Sequence, residues 1–203
     1  MSQLVLASAS PRRRELLESL QVEFSCRPVD LDETPLSGEL PHDYVRRLAS
    51  AKAEVQAHEG EIILAADTIV VLDGAFLGKP DSPETAREML RSLAGRRHEV
   101  LTGVAIHIAP GLTRDAVAHT KVTMTPLSDE EISWYVGTGE PSDKAGAYAI
   151  QGLGSLLVES IEGNYSNVVG LPLPVVRRLL RDVGHDLRHF CRPDDTSAPA
   201  TQD

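Results

Sequence analysis

The stretch over residues 62–72 limits the possible folds more than any other, because Asp67 and Thr68 are its only polar residues. An apolar run of this length, rich in Ile, Leu and Val, predicts a strand. Asp73-Gly74 follows directly and predicts a tight hairpin turn into residues 75–77. The sequence therefore predicts a hydrophobic strand that carries a carboxylate near its middle.

Strand-like runs alternate with helical patterns along the rest of the chain. Further strands are predicted over residues 4–7, 100–108 and 116–124, the last two as an antiparallel pair. Helices are predicted over residues 10–20, 41–58, 82–93, 128–136 and 172–183, with Ser10 as the first N-cap. This alternation predicts a single α/β domain, residues 1–190, with a mixed, twisted central sheet flanked by helices. Residues 191–203 have the composition of a disordered tail.

The overall charge excludes several classes of partner. The formal net charge is −10, which repels nucleic acids and anionic membranes, and only 4% of residues are aromatic, too few for base-stacking surfaces. A phosphate ligand must then be met by locally concentrated cations or by a metal. No segment has the pattern of a signal peptide or a membrane span, and two cysteines far apart suit a reducing compartment. We therefore expect a cytoplasmic protein.

Two groups of cations stand where local preference disfavours them. Arg12, Arg13 and Arg14 begin a helix, where the dipole is already positive, so a bound anion would relieve the repulsion. A solvated basic turn is the alternative. Lys52 shares a helical stripe with Val45, Leu48 and Val55 and points toward the body of the protein. Its ammonium either reaches the rim of the protein or meets a phosphate oxygen.

Carboxylates supply a second set of candidates. Asp67 lies in the most hydrophobic strand and is unfavourable there unless it meets a metal, a cation or hydrogen-bond donors. Residues 30–33 offer further carboxylates, which could share a divalent ion with Asp67 or form a solvated loop. Residues 74–80 do not match a phosphate-binding P-loop, because the spacing is one residue short and Pro80 replaces Ser or Thr. Lys79 can still reach a phosphate after the turn.

Taken together, these segments resemble the Maf family of nucleotide pyrophosphatases, named for septum formation. The resemblance covers residues 4–180. It rests on residues 6–17 (LASASPRRRELL), 32–33, 48–53, 66–68, 78–80, 102–103, 140–152 and 163–173.

The resemblance implies roles for particular residues. Ser10, Arg12, Arg13, Lys52 and Lys79 would hold a triphosphate. Glu33 and Asp67 would bind Mg²⁺ or Mn²⁺ and activate water, with Asp67 as the general base. The resemblance also implies a cleft between two lobes, and a homodimer.

Three positions indicate a branch of that family. Arg12, Thr68 and Gln151 are similar to the branch that hydrolyses dTTP and UTP to the monophosphate and pyrophosphate, whereas the 7-methyl-GTP branch carries Trp, Gln and Glu there. An amide such as Gln151 can both donate to and accept from a pyrimidine edge. The non-enzymatic alternative is a nucleotide- or partner-binding regulator of septum formation, and modified pyrimidine nucleotides or CTP remain alternative substrates.

Overall fold

A computed structural model describes residues 2–55 and 57–191 of the chain. In this part, seven strands form one mixed sheet in the order β2-β1-β3-β5-β6-β7, with β4 paired to β3. The strands are β1 (Gln3–Leu6), β2 (Ser25–Cys26), β3 (Glu61–Leu72), β4 (Ala75–Leu77), β5 (Arg97–Ile108), β6 (Leu112–Met124) and β7 (Val158–Glu162). The predicted α/β fold with a mixed sheet is confirmed. The predicted disordered tail, apart from Cys191, lies outside the described residues.

Helices flank the sheet and connect its strands. They are α1 (Pro11–Glu18), α2 (Pro41–Glu54), α3 (Pro83–Leu93), α4 (Asp129–Gly137), α5 (Tyr165–Val169) and α6 (Leu173–Asp182). Short 3-10 helices lie at Glu140–Asp143, Ala145–Ala147, Gly152–Leu157 and Leu187–Phe190. Within the described ranges, no helix combines the length and the apolar character needed to cross a membrane.

Local sequence explains where several helices begin. Ser82 caps α3 by accepting a hydrogen bond from the Thr85 N–H at 3.1 Å. Ser128 and Glu131 form a reciprocal capping box at α4. Ser10 is the N-cap residue of α1, as predicted, although its side chain makes no capping hydrogen bond. The Ser8 hydroxyl instead accepts from the Ser10 N–H at 3.2 Å.

The edge of β3 that faces β1 is divided between two strands. β1 pairs in parallel with residues 61–64 of β3, and β4 pairs antiparallel with residues 70–72. β5 occupies the opposite edge over residues 62–71. In the described chain, residues 65–69 therefore have no strand beside them on the first edge. We call this opening the fork, and Asp67 lies at its centre.

One face of the sheet carries two separate apolar cores. Ile62 and Leu64 of β3 contribute to the first core, with β1, α1 and α6. Val70 and Leu72 contribute to the second, with α3 and α4. Since side chains alternate along a strand, all four point to the same face. β5 is shared in the same way, so the long strands run through both cores.

A buried polar strip separates these two cores. The Thr68 hydroxyl is 2.9 Å from the Thr102 hydroxyl, and the Thr102 hydroxyl donates to the Asn167 carbonyl at 3.3 Å. The Asn167 amide then donates to the Thr120 hydroxyl at 2.9 Å. Asn167 Oδ1 has no hydrogen-bond partner within the described residues, but the other polar groups named here are hydrogen-bonded and fix α5 against the sheet. We call Thr68, Thr102, Thr120 and Asn167 the polar strip.

Helix α2 covers the opposite face of the sheet. Val45, Leu48 and Ala49 are fully or almost fully buried there. The predicted apolar stripe is wrong at its end, because α2 stops at Glu54 and Val55 is 49% exposed. At the centre of the contact, a Cβ on Gly103 would lie 2.1 Å from the Val45 carbonyl oxygen. The backbone of α2 can approach β5 this closely only because residue 103 has no side chain.

His98 makes the stability of the fold depend on pH. The ring is 2% exposed, and its Nε2 lies 2.7 Å from the Tyr148 hydroxyl. Within the described residues its Nδ1 has no hydrogen-bond partner. Burial lowers the pKa of His98 from 6.5 to about 4. The unfolded chain therefore binds this proton at a higher pH than the folded chain.

The free energy of unfolding should then fall as pH falls through 6.5, and this contribution should level off below about 4. Between pH 7 and pH 5 the loss from His98 alone should be about 2 kcal/mol. Urea unfolding at both pH values, for the wild type and for His98→Gln, measures it. The variant should lose less stability on acidification, and an equal loss in both proteins would contradict the assignment.

Candidate active site

A cavity of about 530 Å³ opens at the fork, within the size range of small-ligand pockets. Its walls come from the β1–α1 connection, α2, β3, the loop after β4, residues 143–151 and the end of α5. All the predicted site residues line it: Ser10, Arg12, Arg13, Glu33, Lys52, Asp67, Thr68, Lys79 and Gln151. The structure thus brings together residues as far apart in sequence as Ser10 and Gln151, which are 141 positions apart.

The cavity is more positive than the protein around it. It is lined by five cationic side chains and three carboxylates, namely Arg12, Arg13, Lys52, Lys79 and Lys144 with Glu33, Asp67 and Asp143. The whole chain carries a formal net charge of −10. A local excess of cations in an acidic protein attracts small anions into the cavity.

Lys52, Glu33 and Asp67 form the central cluster of the cavity. The Lys52 ammonium donates to Glu33 Oε1 at 2.5 Å and to Asp67 Oδ1 at 2.7 Å. The side chains of Lys52 and Asp67 are 9% and 10% exposed, whereas that of Glu33 is 53% exposed. The interpretation that Lys52 reaches the rim of the protein is wrong, because the two carboxylates supply its partner inside.

Tyr44 orients the loop that carries Glu33, a role that sequence reasoning missed. Its hydroxyl donates to the Glu33 carbonyl at 2.8 Å. Burial, followed by the nearby charges of Asp67 and Glu33, raises the pKa of Tyr44 to about 12, so this hydroxyl stays a donor at neutral pH. A signal was available: Tyr44, Leu48 and Lys52 recur every four residues and share one helix face.

Arg13 joins three walls of the cavity. Its Nε donates to the Gly170 carbonyl at 2.8 Å, and its Nη1 donates to the Ala66 carbonyl at 2.7 Å and to the Ser8 hydroxyl at 3.1 Å. Its Nη2 donates to the Thr68 hydroxyl at 3.1 Å. Among the described residues, four of the five N–H groups of Arg13 thus have a hydrogen-bond acceptor, and one has none. Burial lowers the pKa of Arg13, and the charge of Asp67 opposes this shift.

The mouth of the cavity is shaped by the segment over residues 139–151. Arg12 Nη1 lies 3.8 Å from Asp143 Oδ1, and Lys144 donates to the same carboxylate at 2.6 Å. The Gly146 N–H donates to the Gly78 carbonyl at 3.0 Å, which holds the loop of Lys79 against this segment. Lys79 itself is exposed. Arg12 and Lys79 both line the cavity beside this segment.

The cavity thus combines an excess of cationic side chains with a buried carboxylate, Asp67. Comparisons with known proteins show which proteins this chain is similar to. Residues 3–183 match the family described as "Maf-like protein". A protein of Anaeromyxobacter dehalogenans (strain 2CP-C), named "dTTP/UTP pyrophosphatase", is 57% identical over 187 residues, which are 91% of this chain and 95% of that protein. A protein of the same name from Myxococcus xanthus (strain DK1622) is 54% identical over 183 residues, or 89% and 92% of the two chains.

Proposed function

Since the chain belongs to the Maf-like protein family, we propose that it hydrolyses dTTP and UTP to the monophosphate and pyrophosphate. Its relatives with about half of their residues identical carry the name dTTP/UTP pyrophosphatase, and the match spans nearly the whole of both chains. The observation that carries the proposal is the cluster of Lys52, Glu33 and Asp67 inside a cation-rich cavity. A regulator that only bound nucleotides would not need a buried carboxylate beside the phosphate site.

We also propose that Glu33 and Asp67 hold a divalent cation, Mg²⁺ or Mn²⁺. Both carboxylates line one cavity and meet at a single atom, Lys52 Nζ, so they lie close to each other beside the substrate space. Two carboxylates completed by substrate phosphates are a usual ligand set for Mg²⁺. When bound, such an ion would lower the pKa of a water molecule and neutralise charge on the phosphoryl oxygens.

The side chains divide the remaining work between them. Asp67 lies at the bottom of the fork and would accept the proton of the attacking water. Arg12, Lys52 and Lys79 would bind the triphosphate and stabilise the negative charge on the pyrophosphate as it leaves. Ser10 would add a hydroxyl contact, and the remaining N–H of Arg13 would reach a phosphate oxygen.

Gln151 and Thr68 would distinguish the base. Gln151 lines the cavity at its mouth and is half-buried, so its amide can meet the donor and acceptor groups of a pyrimidine edge. Thr68 is held by Arg13 on one side and by Thr102 of the polar strip on the other. We therefore expect Thr68 to shape the pocket as a fixed wall.

We further propose that the protein acts as a cytoplasmic homodimer that does not bind nucleic acids. Cys26 and Cys191 are both free thiols, as is usual in a reducing compartment. The net charge of −10 opposes association with a long polyanion. The proposal of a dimer is supported only by the resemblance to the family.

Product analysis tests the proposed reaction. The purified protein, supplied with Mg²⁺ and dTTP, should release dTMP and pyrophosphate in equal amounts, and UTP should react similarly. CTP, a purine triphosphate and 7-methyl-GTP serve as competing substrates. Excess EDTA should abolish turnover, because removing the cation leaves the water unactivated. Ion-exchange chromatography separates these products directly.

Two results would contradict the proposal. Orthophosphate as the first product would place the cleavage at a different phosphoanhydride bond. Tight binding of dTTP with no turnover at any Mg²⁺ or Mn²⁺ concentration would favour the regulatory alternative.

A further inference from the structure

The Glu140 carboxylate holds the loop of residues 149–154, which includes Gln151. Glu140 itself does not line the cavity. Its Oε1 accepts from the Gly154 N–H at 2.9 Å, and its Oε2 accepts from the Leu153 N–H at 3.0 Å. Oε1 also accepts from the Tyr135 hydroxyl at 2.8 Å. One carboxylate thus binds three donors that converge on a single loop.

Tyr135 connects the Glu140 carboxylate to the other end of the same loop. Its hydroxyl accepts from the Ala149 N–H at 3.1 Å while it donates to Glu140. The ring is fully buried. Burial, and then the hydrogen bond to Glu140, raises the pKa of Tyr135, so the hydroxyl remains a donor. The loop is therefore fixed at Ala149 on one side and at Gly154 on the other.

The negative charge of Glu140 suits it to accept these hydrogen bonds. Burial alone raises the pKa of Glu140, but hydrogen bonds from the Gly154 N–H, the Tyr135 hydroxyl and the Leu153 N–H outweigh it and hold that pKa below its ordinary value. An ionised carboxylate accepts at both oxygens and donates at neither. Each of its oxygens therefore matches the N–H groups aimed at it.

Close packing leaves this loop little freedom to shift. Gly152 has φ +63°, and a Cβ there would lie 2.7 Å from Glu140 Oε2. Gln151, directly before it, stands between the two anchored ends and lines the cavity. Glu140 thus contacts the loop without lining the cavity, whereas Gln151 lines it.

We propose that Glu140 is a positioning residue for base recognition: together with Tyr135, it sets the place of Gln151 in the pocket. This inference rests on the proposed function, since it assumes that the cavity binds a pyrimidine nucleotide. It assigns no contact between Glu140 and the substrate. Its consequence is that the loss of Glu140 weakens recognition of the base and leaves recognition of the triphosphate intact.

Equilibrium binding to two probes tests this inference. One probe is the α,β-methylene analogue of dTTP, which has the base but is not cleaved, and the other is inorganic tripolyphosphate, which lacks the base. In Glu140→Gln, an amide N–H replaces an acceptor that faces backbone N–H groups. The dissociation constant of the dTTP analogue should rise about tenfold to a hundredfold. That of tripolyphosphate should stay within about twofold.

Further variants separate positioning from a general loss of structure. Tyr135→Phe keeps the buried ring, removes only the hydroxyl, and should change binding in the same direction. Gln151→Ala should weaken binding of the dTTP analogue to a similar degree. Adding Glu140→Gln to this variant should cause little further loss of affinity, since both substitutions act through the same contact. Glu130→Gln, an exposed residue on α4, is the matched control and should bind both probes as the wild type does.

The outcomes distinguish this inference from the proposed function. Equal weakening of both probes, or wild-type binding of both in Glu140→Gln and Tyr135→Phe, would overturn the positioning role. Fully additive losses in the double variant would overturn it as well. These measurements report binding and not turnover, so they stand whether or not the wild type releases pyrophosphate, and the product assay alone decides the proposed reaction.

Discussion

Replacing Asp67 with asparagine should lower kcat for dTTP by about a thousandfold, the usual contribution of a positioned general base. Asparagine has nearly the same size and keeps one oxygen that can accept from Lys52, which donates to Asp67 Oδ1 at 2.7 Å in the wild type. It cannot take a proton from water, and it carries no charge for a cation. The dissociation constant of the uncleaved dTTP analogue should change by less than about tenfold, because Arg12 and Lys79 remain.

Steady-state release of pyrophosphate and equilibrium binding together measure this split between turnover and affinity. Asp73→Asn is the matched control, because Asp73 lies on the turn after the same strand and its exposed ion pair with Arg96 contributes little. Asparagine also tolerates the positive φ of that position. The control should turn over as the wild type does. If Asp67→Asn kept more than half of the wild-type kcat, Asp67 could not be the general base.

Gly103→Ala should destabilise the fold and impair the site at once. A Cβ there would lie 2.1 Å from the Val45 carbonyl oxygen and 2.9 Å from the Arg46 N, both backbone atoms of α2. Since backbone cannot rotate away, α2 must move from the sheet, at a cost of about 3 kcal/mol. Helix α2 also carries Tyr44 and Lys52, and a displacement of about 1 Å can reduce kcat/KM about a hundredfold.

Urea unfolding and pyrophosphate release on the same preparation check both effects. Gly111→Ala is the control, because a Cβ at that position meets nothing within 4 Å and its backbone needs no glycine. That variant should keep the wild-type stability and activity. Wild-type values for Gly103→Ala would mean that α2 can shift freely, and the close approach would then have no bearing on Lys52.

Local sequence signals predicted most of the fold. The apolar run in β3, the Asp73-Gly74 turn and the Ser128 start of α4 each depend on near neighbours, and the structure confirms all three. Helix α5 was missed, because it is five residues long and its stability comes from the contacts of Asn167 with distant strands. Short helices held by tertiary contacts leave no periodic pattern to find.

The difference between local signals and tertiary contacts also explains which cavity residues could be predicted. Asp67 and Lys52 could be found because a charge within an apolar pattern is unfavourable without a partner. The identity of the partner could not be found, since Lys52 and Glu33 meet only after α2 folds onto the sheet. Glu140 and Tyr135 gave no signal either. Their importance comes from backbone N–H groups that the loop turns toward them, and a sequence does not record such directions.

The two apolar cores beside the fork belong to the same long strands, β3 and β5. The two cores that flank the pocket are consequently carried by continuous strands. We therefore expect these strands to move little when a nucleotide binds, so that side chains and short loops provide the selectivity. Because the two cores share continuous strands, thermal unfolding of one core should destabilise the other, and both should unfold in a single transition.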